Sequence, residues 1–360
     1  MSLNRLSHID GLRAIAALSV LVQHMFGDML RSSAAGPGAL FSFAGQSIDN
    51  IDLGRFGVVL FFLISGFVVP FSIRGDRPLK RFAISRLFRL YPALWVAIAA
   101  LTALYWSDGN TPSLATITAN LTMAPALFGK AWLSSIYWTL FIELVFYFLA
   151  AALFATGFLF DFRAIFAFGL LLVASTVLPI LARLSFSANI PVQYIGLHLS
   201  FLFCGLLLRL AIMEKVRYAG LAAIGLLCVQ FASIAAISDF SLGRDDGFVI
   251  TGLQPVLGAY GLAAVVFIAA VRSARPNFAF LSFIGQISYS IYLFHWIVCT
   301  LVYRVFPLTG QWSDLLVMSL CVLLTILVSW AVFVVVEKRM INFAKWLTAG
   351  SKPLRPEMVI

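Results

Sequence analysis

Three ionisable side chains, His24, Glu143 and His295, lie inside long apolar stretches of the sequence. Histidine and carboxylate side chains are the usual proton donors and acceptors of catalysis, yet a bilayer makes each of them costly. Ionisable groups in such surroundings normally face a partner or a water-filled cavity. Arg13 precedes His24 by eleven residues, which is close to three helical turns. Both side chains are therefore predicted on one face of the same helix.

A second set of basic residues, Arg81, Arg86 and Arg89, lies in "RFAISRLFRLYP", where the third apolar stretch begins. Arg86 and Arg89 are three residues apart, which places them on adjacent parts of one helical face. Planar guanidinium groups match the geometry of phosphate, so this pair is predicted to bind a phosphorylated ligand. The same charges are also typical of a simple topology signal.

The segment "ISYSIYLFHW" carries a polar stripe on an otherwise apolar stretch. Ser288, Tyr292 and His295 are spaced i, i+4 and i+7, so they share one helical face. We expect this face to line a polar site, with a hydrogen-bonded packing role for the histidine as the alternative. His198 is interpreted as a packing residue and Glu337 as an interfacial one.

The composition excludes a soluble domain. Of 360 residues, 62% are hydrophobic and only 11% are charged, whereas soluble domains are about half apolar and about a quarter charged. Mean hydropathy is +0.99. The net charge of +10 does not indicate nucleic-acid binding, because the basic residues lie between apolar stretches without forming an aromatic-interleaved patch. The four cysteines have no metal-ligand spacing, so no metal site is predicted.

Apolar stretches of about 20 residues predict membrane-spanning helices. We therefore expect an all-α polytopic membrane protein with about ten transmembrane helices, in one domain over residues 1–345 followed by a cytoplasmic tail over 346–360. The expected spans are 12–30, 56–73, 87–106, 136–158, 164–182, 194–213, 218–237, 248–271, 280–306 and 315–336.

The distribution of lysine and arginine sets the expected orientation. With the N-terminus in the cytoplasm, 18 of the 25 basic residues lie on the cytoplasmic side or next to it, and six lie on the other. An even number of spans returns the C-terminus to the cytoplasm.

Orientation and helical rise give the expected depth of the ionisable groups. His24 should lie roughly 16 Å beyond Arg13, in the outer half of the membrane. Glu143 and His295 are expected at a similar depth on other spans, so the three groups predict one central polar cavity. The alternatives are that Arg13 only extends to the interface and that Glu143 is paired structurally.

Five blocks, in order along the chain, resemble the acyltransferase-3 family of membrane acyltransferases. They show an Arg and a His with ten residues between them, an Arg-x-x-Arg before a proline, a Trp-Thr-Leu-x-x-Glu and a Ser-Tyr-x-x-Tyr-Leu-x-His. The blocks are "IDGLRAIAALSVLVQH" (9–24), "FFLISGF" (61–67), "RLFRLYPALW" (86–95), "WTLFIE" (138–143) and "SYSIYLFH" (288–295). The family's last span often ends Glu-x-Pro. Glu337 here lacks that proline, which weakens any role for it.

The resemblance implies transfer of an acyl group, often acetyl, from cytoplasmic acyl-CoA to a hydroxyl of a cell-surface glycan or lipid-linked saccharide. Acyl-CoA is then a donor substrate, and no permanently bound cofactor is expected. It also implies a multi-pass protein of the bacterial inner (plasma) membrane. Some relatives carry a C-terminal SGNH-type domain, and this chain is expected to be stand-alone.

Within that reaction, His24 is expected to remove the proton of the acceptor hydroxyl or to carry the acyl group itself. Glu143 would orient His24 or stabilise its imidazolium, and Arg13 would steer the donor or stabilise developing negative charge. The remaining expectations concern substrates. Arg86 and Arg89 would hold the CoA phosphates, whereas His295, Tyr292 and Ser288 would place the acceptor.

Two other functional classes fit parts of the pattern. A proton-coupled secondary transporter also uses intramembrane His, Glu and Arg, although the sequence shows no inverted repeat. A membrane-bound O-acyltransferase of the other large family would depend on His295 and not on His24. The sequence leaves open the acceptor, the acyl length and the oligomeric state.

Overall fold

The computed structural model describes residues 7–32, 36–186, 194–241, 252–273 and 279–349, and the regular elements within these ranges are all helical. The predicted all-α class is therefore confirmed. The helices are α1 (Ser7–Arg31), α2 (Ala39–Asn50), α3 (Leu53–Val68), α4 (Pro78–Ser107), α5 (Leu114–Leu121), α6 (Trp138–Ala155), α7 (Phe162–Phe186), α8 (Ile195–Ile212), α9 (Ala219–Ser241), α10 (Leu253–Ser273), α11 (Ala279–Gln286), α12 (Ser288–Val305), α13 (Asp314–Val332) and α14 (Lys338–Thr348).

In the described residues, nine helical segments are long and apolar enough to cross a membrane. The pair α11 and α12 meets the same criterion together, which gives up to ten and agrees with the predicted number. Most predicted spans match a helix within a few residues. Helix α4 begins nine residues before the predicted start at 87, because its first turns are basic and were assigned to a loop.

The ninth predicted span, 280–306, is wrong as a continuous helix. Helices α11 and α12 meet at an angle of 72° around Ile287. Gly285 lies directly against the backbone of Asp10 in α1, where any side chain would overlap the Asp10 carbonyl. Close packing of α11 on α1 therefore fixes the axis of α11, and the axis of α12 points in a different direction. The Ser288 hydroxyl donates to the carbonyl of Gly285 at 2.9 Å across the break.

Helices α3 and α8 cross at backbone contact. Gly66 of α3 faces the carbonyl of Leu202, and Gly205 of α8 faces the carbonyl of Leu63. A Cβ atom at either glycine would overlap the partner backbone, so the crossing depends on both. Small residues permit such close approach in membranes, where van der Waals packing drives helix association. This crossing forms part of the largest buried apolar cluster of the protein.

The loop before α6 is folded back onto α5, and this determines where α6 begins. The buried side chain of Asn120 donates to the carbonyl of Ala131 at 2.9 Å and accepts from the backbone amide of Leu133 at 3.0 Å. A short 3-10 turn, Ser135–Tyr137, then leads into α6. Tyr137 is 2% exposed, so α6 starts inside the protein.

Helix α13 continues into α14 through one π-helical turn, Phe333–Glu337. Such turns are rare and often lie at functional sites. Glu337 is 3% exposed and accepts a short hydrogen bond from Ser290, in the first turn of α12. The carboxylate of Glu337, which the sequence analysis interpreted as interfacial, is buried within the protein and holds two helices together. The expected domain boundary at 345 falls within α14, and residues 350–360 lie outside the described part of the chain.

Candidate functional site

Two histidines from different helices are in direct contact. The Nδ1 atom of His24 in α1 lies 2.7 Å from the Nε2 atom of His295 in α12. The two rings are parallel within 3°, and their centroids are 5.0 Å apart. His295 is 1% exposed, whereas His24 is half-buried. A hydrogen bond between two ring nitrogens requires one donor and one acceptor, so this pair has a defined proton order.

The backbone fixes that order. The Nδ1 atom of His295 lies 3.0 Å from the carbonyl oxygen of Ile291, which can only accept, so Nδ1 carries the hydrogen. In the neutral ring, Nε2 of His295 then carries a lone pair and accepts from Nδ1–H of His24. A neutral His24 consequently carries its own lone pair on Nε2. No described residue donates to that atom, so it can accept a proton from a ligand.

His24 lines a cavity of about 960 Å³, here called the histidine cavity. This volume is in the range of small-molecule sites. The polar and aromatic residues of its lining are Gln23, His24, Arg31, Asp49, Asp52, Arg55, Ser135, Trp138, Thr139, Tyr194, His198, Tyr260 and Tyr292.

The cations of this cavity have acidic partners. Arg31 pairs with Asp28 at 2.8 Å, and Arg55 pairs with Asp52 at 3.4 Å. Asp52 also caps α3, because its side chain accepts from the backbone amide of Arg55. The two arginines and two aspartates in the lining leave the formal charge of the cavity at zero.

A second, smaller pocket of about 80 Å³ lies next to the first and is called the arginine pocket. Three arginines and one glutamate provide its charges, so cations predominate. Its polar lining consists of Arg13, Ser65, Arg86, Arg89, Thr139, Glu143, Tyr147, Ser288, Tyr289 and Tyr292. Helices α1, α3, α4, α6 and α12 each contribute to it.

One arginine of this pocket, Arg86, has a hydrogen-bond donor that no described residue uses. Arg86 lies over the rings of Phe82 and Tyr147, at 5.8 Å and 5.7 Å from their centroids. Its Nε atom is buried and has no hydrogen-bond partner among the described residues. Arg13, in contrast, is paired with Asp10 at 3.5 Å. An anion entering the pocket would therefore find at least one unused donor.

The two pockets share three lining residues, Val58, Thr139 and Tyr292, which we call the constriction. The Tyr292 hydroxyl is 2.7 Å from the Thr139 hydroxyl and 2.8 Å from the carbonyl oxygen of Ile136. Its ring packs edge-on against Phe61, with centroids 6.2 Å apart. These contacts hold Tyr292 between the pockets.

The structure divides the predicted site residues between the two pockets. His24 and His295 are paired beside the histidine cavity. Arg13, Arg86, Arg89, Glu143, Ser288 and Tyr292 all line the arginine pocket. The expectation of one cavity containing every group is therefore replaced by two pockets that share the residues of the constriction as a common wall.

The side-chain hydrogen bonds of Glu143 do not include His24, so the expectation that Glu143 orients His24 is not supported by them. The Glu143 carboxylate accepts from Ser65 at 3.0 Å and from Tyr147, and its pocket is the arginine pocket. The reason is where α6 begins. Thr139, in the first turn, is already at the constriction, so Glu143 lies one turn beyond it. His295 is the residue that fixes the ring of His24.

Sequence reasoning missed two residues near these pockets. His198 lines the histidine cavity, and its Nδ1 lies 2.7 Å from the carbonyl oxygen of Tyr194. Glu337 supports the first turn of α12, which lines the arginine pocket. A histidine four residues after a tyrosine is no specific sequence signal for a cavity, so His198 could not be found this way. The π-helical turn that contains Glu337 has no sequence signal either. The described residues contain no group of three His, Cys, Asp or Glu side chains that could hold a metal ion.

Comparison with known proteins gives one match. A family model described as an acyltransferase domain matches residues 6–334 of the chain. The match covers every helix that lines the two pockets. No curated protein and no solved structure matches the chain.

Proposed function

The chain belongs to the acyltransferase-3 family, and from this we propose that it transfers an acyl group, by default acetyl, from acyl-CoA to a hydroxyl of a cell-surface glycan or lipid-linked saccharide. The observation that carries the proposal is the histidine pair, because it leaves Nε2 of His24 as a proton acceptor at the edge of a large cavity.

The arginine pocket is the proposed donor site. Coenzyme A carries phosphates at one end and its thioester at the other. Guanidinium groups bind phosphate through paired charge-assisted hydrogen bonds, which supports Arg86 and Arg89 as the phosphate-binding residues. The pocket is too small for the nucleotide, so the pantetheine arm would enter it and the phosphates would stay at its mouth. Arg13 also lines this pocket and is the proposed residue to steer the thioester.

The constriction is the proposed passage between the substrates. The thioester carbonyl must approach Nε2 of His24 from the donor side, and Val58, Thr139 and Tyr292 are shared by both pockets. The Thr139 and Tyr292 hydroxyls lie at this position, but each has one proton, which is directed at the Ile136 carbonyl or at the other hydroxyl. One of these hydrogen bonds would have to be exchanged before either hydroxyl could stabilise the negative charge that develops on the carbonyl oxygen during attack.

In direct acyl transfer, one proton moves from the acceptor hydroxyl to His24 and then to the leaving sulfur. Nε2 of His24 takes the proton of the acceptor hydroxyl while that oxygen attacks the thioester carbonyl carbon. A C–O bond forms, the C–S bond breaks, and the proton passes from His24 to the leaving sulfur. The products are an ester and the free thiol of CoA, and His24 returns to its neutral form with the bond to His295 intact throughout.

Transfer through an acyl-histidine would use the same nitrogen. In that route Nε2 attacks the thioester first, so free CoA appears before any acceptor is added. In direct transfer, CoA appears only with acceptor or water. Rapid mixing of purified protein with acetyl-CoA, with and without acceptor, distinguishes the two routes.

The orientation that supports this scheme places the N-terminus in the cytoplasm, in the bacterial inner membrane. The arginine pocket then opens toward the cytoplasmic acyl-CoA, since Arg13 lies nearer the N-terminus of α1 than His24 does. The acceptor would reach the histidine cavity from the opposite side. Accessibility labelling of single cysteines at Arg77 and Lys130 in intact cells tests the orientation.

The decisive experiment compares surface glycans from cells with and without the gene by mass spectrometry. We expect a mass difference equal to one acyl group, which identifies both the group and the acceptor. Purified protein should also release CoA from acetyl-CoA when that acceptor is supplied. Solute uptake by proteoliposomes without any acyl-CoA, together with identical glycan masses, would instead support a transporter.

A further inference from the structure

The last helical segment of the described chain is longer than the hydrocarbon core of a bilayer. Helix α13, the π-helical turn and α14 together span Asp314–Thr348, which is 35 residues. At the rise of an α-helix this is about 50 Å, whereas the hydrocarbon core is about 30 Å thick. Residues 315–336 contain no charged side chain and are long enough to cross that core by themselves. Helix α14 therefore begins where the hydrocarbon core ends.

Helix α14 packs on the protein with one side only. Ala344 is buried, and Met340 and Ile341 beside it are half-buried. The ring of Phe343 lies edge-on against Phe88 of α4, with centroids 5.3 Å apart. The other side of α14 is exposed along its whole length. That side is free to meet whatever surrounds the protein at this level.

Half of the exposed side is apolar and aromatic, and we call it the aromatic strip. At 100° per residue, Phe343, Trp346 and Leu347 lie next to one another on the helix surface. Trp346 is 69% exposed, and its ring stacks on that of Phe343 with centroids 5.6 Å apart. Exposed apolar surface of this kind is unfavourable in water and favourable at the boundary between headgroups and acyl chains.

The other half of the exposed side is polar, and we call it the cationic strip. Lys338, Asn342 and Lys345 lie along it and are all exposed. Arg339 lies within the aromatic strip, from which its long side chain can extend to the headgroups. In the part of the chain that the structure describes, none of these three cations has an acidic partner.

An aromatic strip beside a cationic strip is typical of a helix that lies in the membrane interface. Tryptophan side chains are enriched at headgroup level, and lysines there attract anionic lipids. A soluble anion would use the cations and leave the aromatic strip in water. An anionic phospholipid uses both strips, because one molecule combines a negative headgroup with apolar chains. The arrangement therefore favours a lipid over a soluble ligand.

We propose that the exposed side of α14 is a binding site for anionic phospholipid. The headgroup phosphate would contact the cationic strip, and the acyl chains would pack against the aromatic strip. The site is separate from the acyl transfer proposed above and does not depend on it. The contact of Phe343 with Phe88 connects this lipid-bound helix to α4, next to Arg89 of the arginine pocket.

The test measures lipid binding to the purified full-length protein in detergent by native mass spectrometry. Short-chain phosphatidylglycerol is the anionic probe and phosphatidylcholine of the same chain length is the neutral one. The variants are Lys338→Gln, Lys345→Gln, the double variant of both lysines and Trp346→Ser. Arg163→Gln is the matched control, because Arg163 is an exposed cation in the first turn of another spanning helix.

We expect the wild type to bind phosphatidylglycerol more tightly than phosphatidylcholine. Each single lysine variant should weaken phosphatidylglycerol binding about fivefold, the effect of one cation near an anionic surface, and the double variant should weaken it further. Phosphatidylcholine binding should not change in these variants. Trp346→Ser should weaken binding of both lipids, since it removes apolar contact and no charge. Arg163→Gln should match the wild type, and all melting temperatures should be equal.

Two results would overturn the lipid site: equal affinity of the wild type for the two lipids, or unchanged phosphatidylglycerol affinity in the lysine variants. If the double variant does not fold, the single variants decide. Displacement of phosphatidylglycerol by an equal concentration of inorganic phosphate would assign the cations to a soluble anion instead. A raised KM for acetyl-CoA in the lysine variants, with unchanged lipid affinity, would assign them to the donor.

Discussion

The arginine pocket and the histidine cavity are neighbours that share the constriction, yet they differ in size and charge. The first has a volume of about 80 Å³ and the second about 960 Å³. Cations predominate in the first, whereas arginines and aspartates balance in the second. In the proposed function, the smaller, cationic pocket would take the arm of the acyl-CoA donor and the larger one the acceptor.

Two pockets also separate the histidine that would become protonated from the clustered guanidinium groups. A protonated histidine is disfavoured beside clustered guanidinium groups, because like charges repel more strongly where water is scarce. His24 pairs with a neutral histidine and lies roughly 16 Å along α1 from Arg13. The proposed base is therefore well separated from Arg13, one of the three arginines of the arginine pocket. Four predictions test this division, in order of decreasing effect.

The largest effect is expected from removal of the proposed base. His24→Ala should lower the kcat of acyl transfer by about 10²- to 10⁴-fold, the usual contribution of general base catalysis. KM for acetyl-CoA should change little, because the donor binds in the other pocket. Steady-state kinetics on purified protein measure both. His8→Ala is the control, since His8 lines neither pocket. Wild-type kcat in His24→Ala would remove this residue from the mechanism.

Blocking the constriction should separate two intact pockets. Val58→Phe places a larger side chain where both pockets share a wall, and we expect transfer to fall about 10²-fold or more because the thioester is misplaced. Binding of CoA, measured by calorimetry, should persist. Val58→Ala is the matched control and should keep acetyl transfer while accepting longer acyl chains. Equal activity in Val58→Phe and Val58→Ala would show that the thioester takes another path.

Loss of a phosphate-binding arginine should act on one end of the donor only. Arg86→Ala and Arg89→Ala should each raise KM for acetyl-CoA about tenfold, since a hydrogen bond to a charged group contributes about 1.5–3 kcal/mol. Acetyl-pantetheine lacks the phosphates, so its KM should be the same in the wild type and in both variants. If acetyl-pantetheine is affected equally, the arginines position the thioester and not the phosphates.

An effect no larger than that of the arginine variants, but on kcat instead of KM, is expected from the partner of the base. His295→Leu removes the acceptor for Nδ1–H of His24 and should lower kcat about tenfold, because the productive tautomer is no longer held. His295→Asn supplies a carbonyl oxygen that can accept the same hydrogen, so it should recover most of the activity. Both variants should leave the sugar KM unchanged. A raised sugar KM in His295→Leu, with unchanged kcat, would return His295 to the acceptor-binding role expected from the sequence.

Hydropathy identified nearly every membrane helix, because a bilayer imposes length and apolarity on each of them independently. It missed the break at Ile287, since apolar residues continue through it and the cause is the contact of Gly285 with α1. Pairing of His24 with His295 was equally inaccessible. Depth can be estimated from one chain segment, but the rotation and adjacency of two helices arise only when they pack.

Glu143 shows the same limit in another form. Its span was predicted correctly, as 136–158 against the observed Ser135–Ala155, but the bounds of a span do not say which neighbouring helices its side chains meet. One turn of helix was enough to move the carboxylate from one pocket to the next. Arg86 and Arg89 were easier to place, since a dense basic run marks the first turns of α4.

The glycine crossing of α3 and α8 has a mechanical consequence. Because α3 and α8 are in backbone contact at Gly66 and Gly205, we expect them to move as one rigid unit. This unit includes both Val58 and His198. Any widening of the passage for a substrate must then come from the opposite side, by displacement of α6 or α12.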